Sequence, residues 1–175
     1  MGTKSFRNWW GDSRGYTGYH NIREGIIYSM NIIAVRCLME TVTPQLGVDY
    51  AERMGISTLT KDDLNAATAL GGLTRGVTNL DITSAFASIA NGGVYTKPRF
   101  FTKILDHDGN VLIDNQPETK QVLKDSTAFL LTDAMSESVK SNRLYARSGV
   151  SINSTSTAAA LGNMSVAGKS GTTTN

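Results

Sequence analysis

The stretch from Thr78 to Gly93 constrains the fold more than any other part of the chain. Thr78 followed three residues later by Asp81 is a helix-start pattern, since the hydroxyl accepts a first-turn N–H and the acid can reach back to the cap. Leu80, Ile82, Ala85, Phe86 and Ile89 then recur at near-helical spacing, and Asn91-Gly92-Gly93 supplies the residues that stop a helix. A helix this short does not hold in water alone, so the chain must provide a core for it to lie on. Other segments carry matching signals. Asn21 with Glu24 precedes Ile22, Ile26, Ile27, Ile33, Val35, Leu38 and Met39, which predicts helix over about 22–41 with a break near Ser29. Thr43-Pro44 places a cap and a first-position proline ahead of Leu46, Val48, Tyr50, Ala51 and Met54, and Gly55 closes that segment. A further helix is expected over about 126–139, with Phe129, Leu130 and Met135 sharing a buried face.

Strand signals are fewer. Phe100 to Leu105 and Val111 to Ile113 flank Asp106-His107-Asp108-Gly109-Asn110, which reads as a hairpin turning near Asp108-Gly109. Residues 141–163 are dominated by Ser, Asn, Thr, Ala and Gly without periodicity, so a long flexible segment with one helical turn is expected. Met164 to Thr174 alternates Val166 and Ala167 with small hydroxyl residues and reads as a strand presenting Lys169-Ser170-Gly171-Thr172. The fold class is therefore α+β and predominantly helical. Gly71-Gly72 and Gly92-Gly93 read as turns, because neither sits in a phosphate-loop pattern.

Composition removes several function classes. The 175 residues are 40% apolar and 18% charged, with 17 Lys plus Arg against 15 Asp plus Glu, and the basic residues are scattered singly. No field strong enough to recruit nucleic acid results. Cys37 is the only cysteine; among Ile32, Ile33, Val35 and Leu38 it reads as a buried small hydrophobe ahead of a reactive thiol. His20 and His107 lie too far from it for a zinc site, so no metal is expected and both are read as structural or exposed. No apolar run is long enough to span a bilayer, and Met1-Gly2-Thr3-Lys4 does not open a signal-peptide core, so the chain as given is expected to be soluble.

The chemistry rests on Ser29-Met30-Asn31 and Lys169-Ser170-Gly171-Thr172-Thr173. Alone, each is weak: Ser151-Ile152-Asn153 fits the first pattern equally, and the second also suits a turn with a solvated lysine. Order sharpens both. Tyr16-Thr17-Gly18-Tyr19-His20-Asn21-Ile22-Arg23-Glu24 leads into Ser29-Met30-Asn31-Ile32-Ile33-Ala34-Val35-Arg36. Ala69-Leu70-Gly71-Gly72-Leu73, Gly76-Val77-Thr78, Ala90-Asn91-Gly92-Gly93-Val94-Tyr95 and Lys97-Pro98 follow. This string resembles the transpeptidase domain of class A, bifunctional high-molecular-weight penicillin-binding proteins, over nearly all of the chain after about residue 8. The family's Ser-x-Asn motif stands here as SMN and its Lys-Thr-Gly motif as KSG, with Ser170 keeping the hydroxyl of the usual threonine.

The resemblance implies a partial fold of the penicillin-binding-protein and serine β-lactamase type over residues 1–175, and D,D-transpeptidation that cross-links peptidoglycan stem peptides through an acyl-serine. It implies penicillins as acylating analogues, no cofactor, and a parent anchored outside the cytoplasmic membrane, with an upstream glycosyltransferase domain by analogy only. Ser29 would belong to the catalytic proton network, Asn31 would bind the substrate's penultimate amide, and Lys169 would bring positive charge to Ser29 and the substrate carboxylate. Ser170 and Thr172 would bind that carboxylate, with the Thr172 N–H as half of an oxyanion hole. Gly171 would allow close backbone approach, though a glycine here equally marks a bulge. The family's nucleophile sits in Ser-x-x-Lys, yet no lysine in this chain has a serine three positions before it. The expectation is thus an internal fragment, inactive alone, whose last segment frays, pairs with the hairpin or recruits a second copy. Two other readings stay open: a non-catalytic scaffold homologue that kept the pocket, and a serine β-lactamase. Trp9 and Trp10 are candidates for a substrate groove, with packing of a terminal segment the equal alternative.

Overall fold

A computed structural model of the chain describes residues 5–11, 17–145 and 149–172. Helices α1 (Ile22–Ile27) and α2 (Asn31–Arg36) occupy the first expected helix and are separated at Tyr28 to Met30; a π-helical turn, Cys37–Val42, continues α2. Helix α3 (Pro44–Arg53) starts at Thr43, whose side chain accepts the Leu46 N–H. Helix α4 (Asn79–Ala90) starts at Thr78, whose hydroxyl oxygen accepts the Asp81 N–H. The Asp81 carboxylate does not complete the expected reciprocal cap. It accepts instead from the backbone N–H and hydroxyl of Ser57 at 2.9 and 2.7 Å, tying the loop after α3 to the start of α4.

Between α3 and α4 the chain is organised by Asp63, whose side chain is fully buried. One carboxylate oxygen accepts from the N–H and hydroxyl of Thr74 at 2.6 and 2.7 Å, the other from those of Thr60 at 2.7 and 3.0 Å. These bonds, led by the Thr74 N–H, hold its pKa down from 3.8 to about 2 against the opposing pull of burial. The Thr60-x-x-Asp63 spacing carried this signal in the sequence.

After α4 come β1 (Val94–Thr96), β2 (Lys103–Leu105), β3 (Val111–Asp114), β4 (Thr119–Gln121), α5 (Asp125–Val139), β5 (Arg143–Tyr145) and β6 (Ser151–Asn153). They form three separate two-stranded antiparallel ribbons, β1 with β4, β2 with β3 and β5 with β6. The β2–β3 hairpin falls where Asp108-Gly109 placed it, with Asp106 accepting from the N–H groups of Asp108 and Asn110. Gly93 is required where it stands: its φ is +84°, and a Cβ there would lie 2.3 Å from the Leu123 carbonyl oxygen.

Three expectations are corrected. Met135 is buried as expected, but Phe129 and Leu130 are exposed, and α5 buries Ala128, Ala134, Ser138 and Val139 in their place, because small residues let it sit close to α1 and α4. The described residues of 141–163 include the one expected helical turn, as a 3₁₀ turn over Thr157–Ala159, but also pair β5 with β6, with Ile152 fully buried, where no strand was expected. The described part of 164–174 is not a strand, because no ladder partner meets its backbone beyond an isolated bridge from Met164 to Leu161. Residues 173 and 174 lie outside the described residues.

The tightest core cluster joins distant parts of the chain: Trp10, Ile27, Tyr28, Met30 and Ile152, with Ile33 and Leu144 against it. Trp10 therefore packs as core, while Trp9 is half-exposed, stands edge-on to it and donates its Nε1–H to the Tyr28 carbonyl at 2.9 Å. Both tryptophans brace the α1–α2 joint. Among the described residues no helix is long and apolar enough to cross a membrane.

Candidate active site

The site is built on the break between α1 and α2. The Tyr28 N–H closes α1 on the Glu24 carbonyl at 2.9 Å, and the Met30 N–H returns to the Gly25 carbonyl at 2.9 Å. Between them Ser29 adopts φ +52°, a left-handed conformation that costs a non-glycine residue roughly 1–2 kcal/mol. Met30 repays this through burial, at 1% exposure in the core cluster, and so holds Ser29 and Asn31 on either side of it, both half-buried. The middle residue of the motif is thus an anchor. Met30 gives α2 no side-chain cap; the Ile32 N–H is met instead by Asn8 Oδ1 at 3.1 Å, and Asn31 Nδ2 donates to the Arg7 carbonyl at 2.9 Å.

Lys169 arrives from the other end of the chain. Its Nζ donates to Ser29 Oγ at 2.7 Å and to the Ser170 carbonyl at 2.7 Å. The residue as a whole remains exposed, yet partial burial of the ammonium end pushes its pKa below the usual lysine value. Lys169 also lines a cavity of about 260 Å³ whose other walls include Ile22, Ile26, Ile33, Ala34 and half-buried Cys37. The contact therefore stands at an apolar wall, where a charge acts more strongly than in open water.

The residues after Lys169 are held by hydroxyls. The Ser170 N–H donates to Ser156 Oγ at 3.1 Å, and its own hydroxyl bonds Thr155 Oγ1 at 2.8 Å. Gly168 offers its N–H to the Met135 carbonyl at 3.4 Å, and its carbonyl accepts from Ser138 Oγ at 2.7 Å. Gly171 and Thr172 are exposed, and a Cβ at Gly171 would meet nothing within 4 Å. The structure thus brings Ser29 and Lys169 together with Ser170 beside them, while the Asn31 amide, two residues from Ser29, is held on the Arg7 carbonyl and Gly171 and Thr172 are exposed. The alternative Ser151-Ile152-Asn153 is structural: it forms β6, and Asn153 Oδ1 accepts from Arg143 Nε at 3.1 Å.

The supporting hydroxyls of Ser138, Thr155 and Ser156 were not singled out in the sequence, since serines and threonines crowd that region without a distinguishing spacing. His20 is structural as expected. Its Nδ1 lies 3.1 Å from Glu24 Oε2 and its Nε2 2.8 Å from the Thr17 hydroxyl, so both ring nitrogens are engaged beside the α1 cap. Among the described residues no group of His, Cys, Asp or Glu is arranged to hold a metal ion.

Chemically, the joint offers a serine hydroxyl within proton-transfer distance of a partly desolvated lysine, with an amide and further hydroxyls alongside. The chain is 34% identical over 158 residues to penicillin-binding protein 1A of Clostridium botulinum (strain Langeland / NCTC 10281 / Type F), covering 90% of this chain and 18% of that protein. It is 33% identical over 172 residues to penicillin-binding protein 1A/1B of Bacillus subtilis (strain 168), covering 97% of this chain and 17% of that one. The chain therefore spans under a fifth of the length of these relatives. Among solved structures it superimposes on the D,D-transpeptidase domain of a peptidoglycan glycosyltransferase from Eggerthella lenta with TM-score 0.66 at 20% identity, covering 90% of this chain and 43% of that one, a likeness of fold. The PonA1 protein from Mycobacterium tuberculosis, solved with penicillin V, matches with TM-score 0.59 at 28% identity, over 66% of this chain and 33% of that one. The family model for the penicillin-binding protein transpeptidase domain matches residues 1–175, and the chain belongs to that family.

Proposed function

We propose that this chain supplies the part of a serine D,D-transpeptidase site running from the SMN joint to the KSG segment. In this reading it is a portion of a transpeptidase domain in a longer enzyme that cross-links peptidoglycan stem peptides and is acylated by penicillins. One observation carries it: Lys169 Nζ stands 2.7 Å from Ser29 Oγ although 140 residues separate them. Those are the two motifs whose meeting acyl transfer of this kind requires. An attacking serine forms the ester bond to the penultimate D-alanine carbonyl, the amide C–N bond breaks, and the released terminal D-alanine takes up a proton. Ser29 relays that proton, Lys169 steadies the hydroxyl and draws in the substrate's terminal carboxylate, and Asn31 meets the substrate amide. Ser170, Gly171 and Thr172 bind the carboxylate, with the Thr172 N–H at the oxyanion.

The attacking serine is not placed among these residues, because no Ser-x-x-Lys occurs in the sequence. It is assigned to sequence preceding Met1 in the longer protein. Peptidoglycan lies outside the cytoplasmic membrane, so that protein is read as extracytoplasmic, anchored by a segment of its own.

The test is Lys169→Ala in the longer protein. Acylation by a labelled penicillin is expected to slow by ~10²-fold or more, the size seen when one preorganised electrostatic group is removed. Rates within about threefold of wild type would reject the catalytic reading, since that is under 1 kcal/mol of barrier. The 175-residue chain alone is expected to form no stable penicillin adduct, read by intact mass.

A further inference from the structure

Among the described residues Lys169 and Ser29 belong to segments that share no strand, yet both are tied to one element. Helix α5 is the common support. Asp133 receives Arg23 of α1 at 2.6 Å, fixing the helix that leads into Ser29. Five residues on, roughly 7.5 Å along the helix axis, Ser138 reaches the residue before Lys169. Ser138 is fully buried at the end of α5, and its hydroxyl faces two carbonyls, Met135 in its own helix at 2.9 Å and Gly168 at 2.7 Å. A serine late in a helix ordinarily bonds back to its own turn; here the nearer acceptor lies 30 residues away. On the far side of Lys169, buried Ser156 accepts the Ser170 N–H at 3.1 Å, while its own N–H donates to the Ser138 carbonyl at 3.2 Å. Gly168 and Ser170 are thus gripped by two hydroxyls that are themselves linked, with Lys169 between them.

We propose that Ser138 and Ser156 are positioning residues that fix where Lys169 stands relative to Ser29, an inference that rests on reading those two as partners in the transpeptidase site. The clamp holds the peptide groups on both sides of Lys169, so the side chain has one short route to Ser29, and it keeps the ammonium end against the apolar wall of Ile22, Ile26 and Ile33. Removing either hydroxyl releases one side of the segment and lets the ammonium turn to water.

The experiment follows Lys169 itself in the 175-residue chain, by the ¹³Cε shift of labelled lysine against pH, with the resonance assigned through its loss in Lys169→Arg. In Ser138→Ala and in Ser156→Ala the Lys169 midpoint is expected to move upward, toward the ordinary value of about 10.4. Ser88→Ala is the control, because Ser88 is equally buried but its hydroxyl bonds the Ala85 carbonyl of its own helix. It is expected to leave the midpoint in place whatever it does to the melting temperature. An unmoved midpoint in both clamp variants, each shown folded by circular dichroism, overturns the proposal, as does an equal shift in Ser88→Ala. Should Ser138→Ala fail to fold, Ser156→Ala decides alone. No penicillin enters these titrations, so a failed clamp leaves the catalytic reading intact, and normal acylation in Lys169→Ala leaves the clamp standing.

Discussion

At the scale of single residues, the site depends on Ser29 holding a conformation its side chain disfavours. Ser29→Ala and Ser29→Gly both lose the hydroxyl and its contact with Lys169, but only glycine escapes the penalty at φ +52°. Ser29→Gly is therefore expected to be more stable than Ser29→Ala by about 1 kcal/mol in chemical denaturation. Equal stabilities would show that the joint relaxes freely. Asp63 gives a pH signature with a defined sign. Its folded pKa is depressed from 3.8 to about 2, so its contribution is fully present above about pH 4 and is lost as pH falls through 2. The gap in melting temperature between wild type and Asp63→Asn is expected to be constant from pH 7 to about 5 and to close toward pH 2. The pairing of Ser29 with Lys169 was expected only through the family resemblance, since the residues alone left Ser151-Ile152-Asn153 as an equal candidate. Asp63 passed unnoticed although Thr60-x-x-Asp63 is a cap pattern, because it opens a single 3₁₀ turn with no apolar stripe behind it.

At the scale of elements, what could be read was what is local. The starts of α1, α3 and α4 follow from Asn21, Thr43 and Thr78, each within reach of its own first turn. The buried face of α5 could not be read, because spacing ranks the large apolar residues while packing there selects Ala128, Ala134 and Ser138. The β5–β6 hairpin was missed for a related reason: Arg143-Leu144-Tyr145 and Ser151-Ile152-Asn153 are short, and each buries chiefly one side chain. Sequence also misjudged the acid at the start of α4, and this is testable. Thr78→Ala is expected to cost about 1 kcal/mol as a lost cap. Asp81→Ala is expected to act on the neighbouring loop, raising the hydrogen-exchange rate of the Ser57 amide, which Thr78→Ala leaves protected. Equal exchange at Ser57 in the two variants would return Asp81 to the role of an ordinary cap.

At the scale of the whole molecule, the described residues form three two-stranded ribbons and five α-helices drawn together by side chains more than by a continuous sheet. Amides of Val166 to Thr172 are therefore expected to exchange much faster than those of Leu80 to Ala90, which sit in a helical ladder. Comparable protection in a verified monomer would show a ladder not described here. The same arrangement bears on the order of folding events. Ser29 and Lys169 lie 140 residues apart, but packing of α1 on α5 and of Met30 on Ile152 closes most of that loop, leaving the segment after Ile152 to dock through one hydrogen bond and a few clamp contacts. The two motifs are therefore expected to meet late in folding and to separate first, in an opening that leaves α4 and the Asp63 knot untouched. A ligand that touched both motifs would act as a clasp on that opening, slowing exchange from Val166 to Thr172 while the helices kept their own clock.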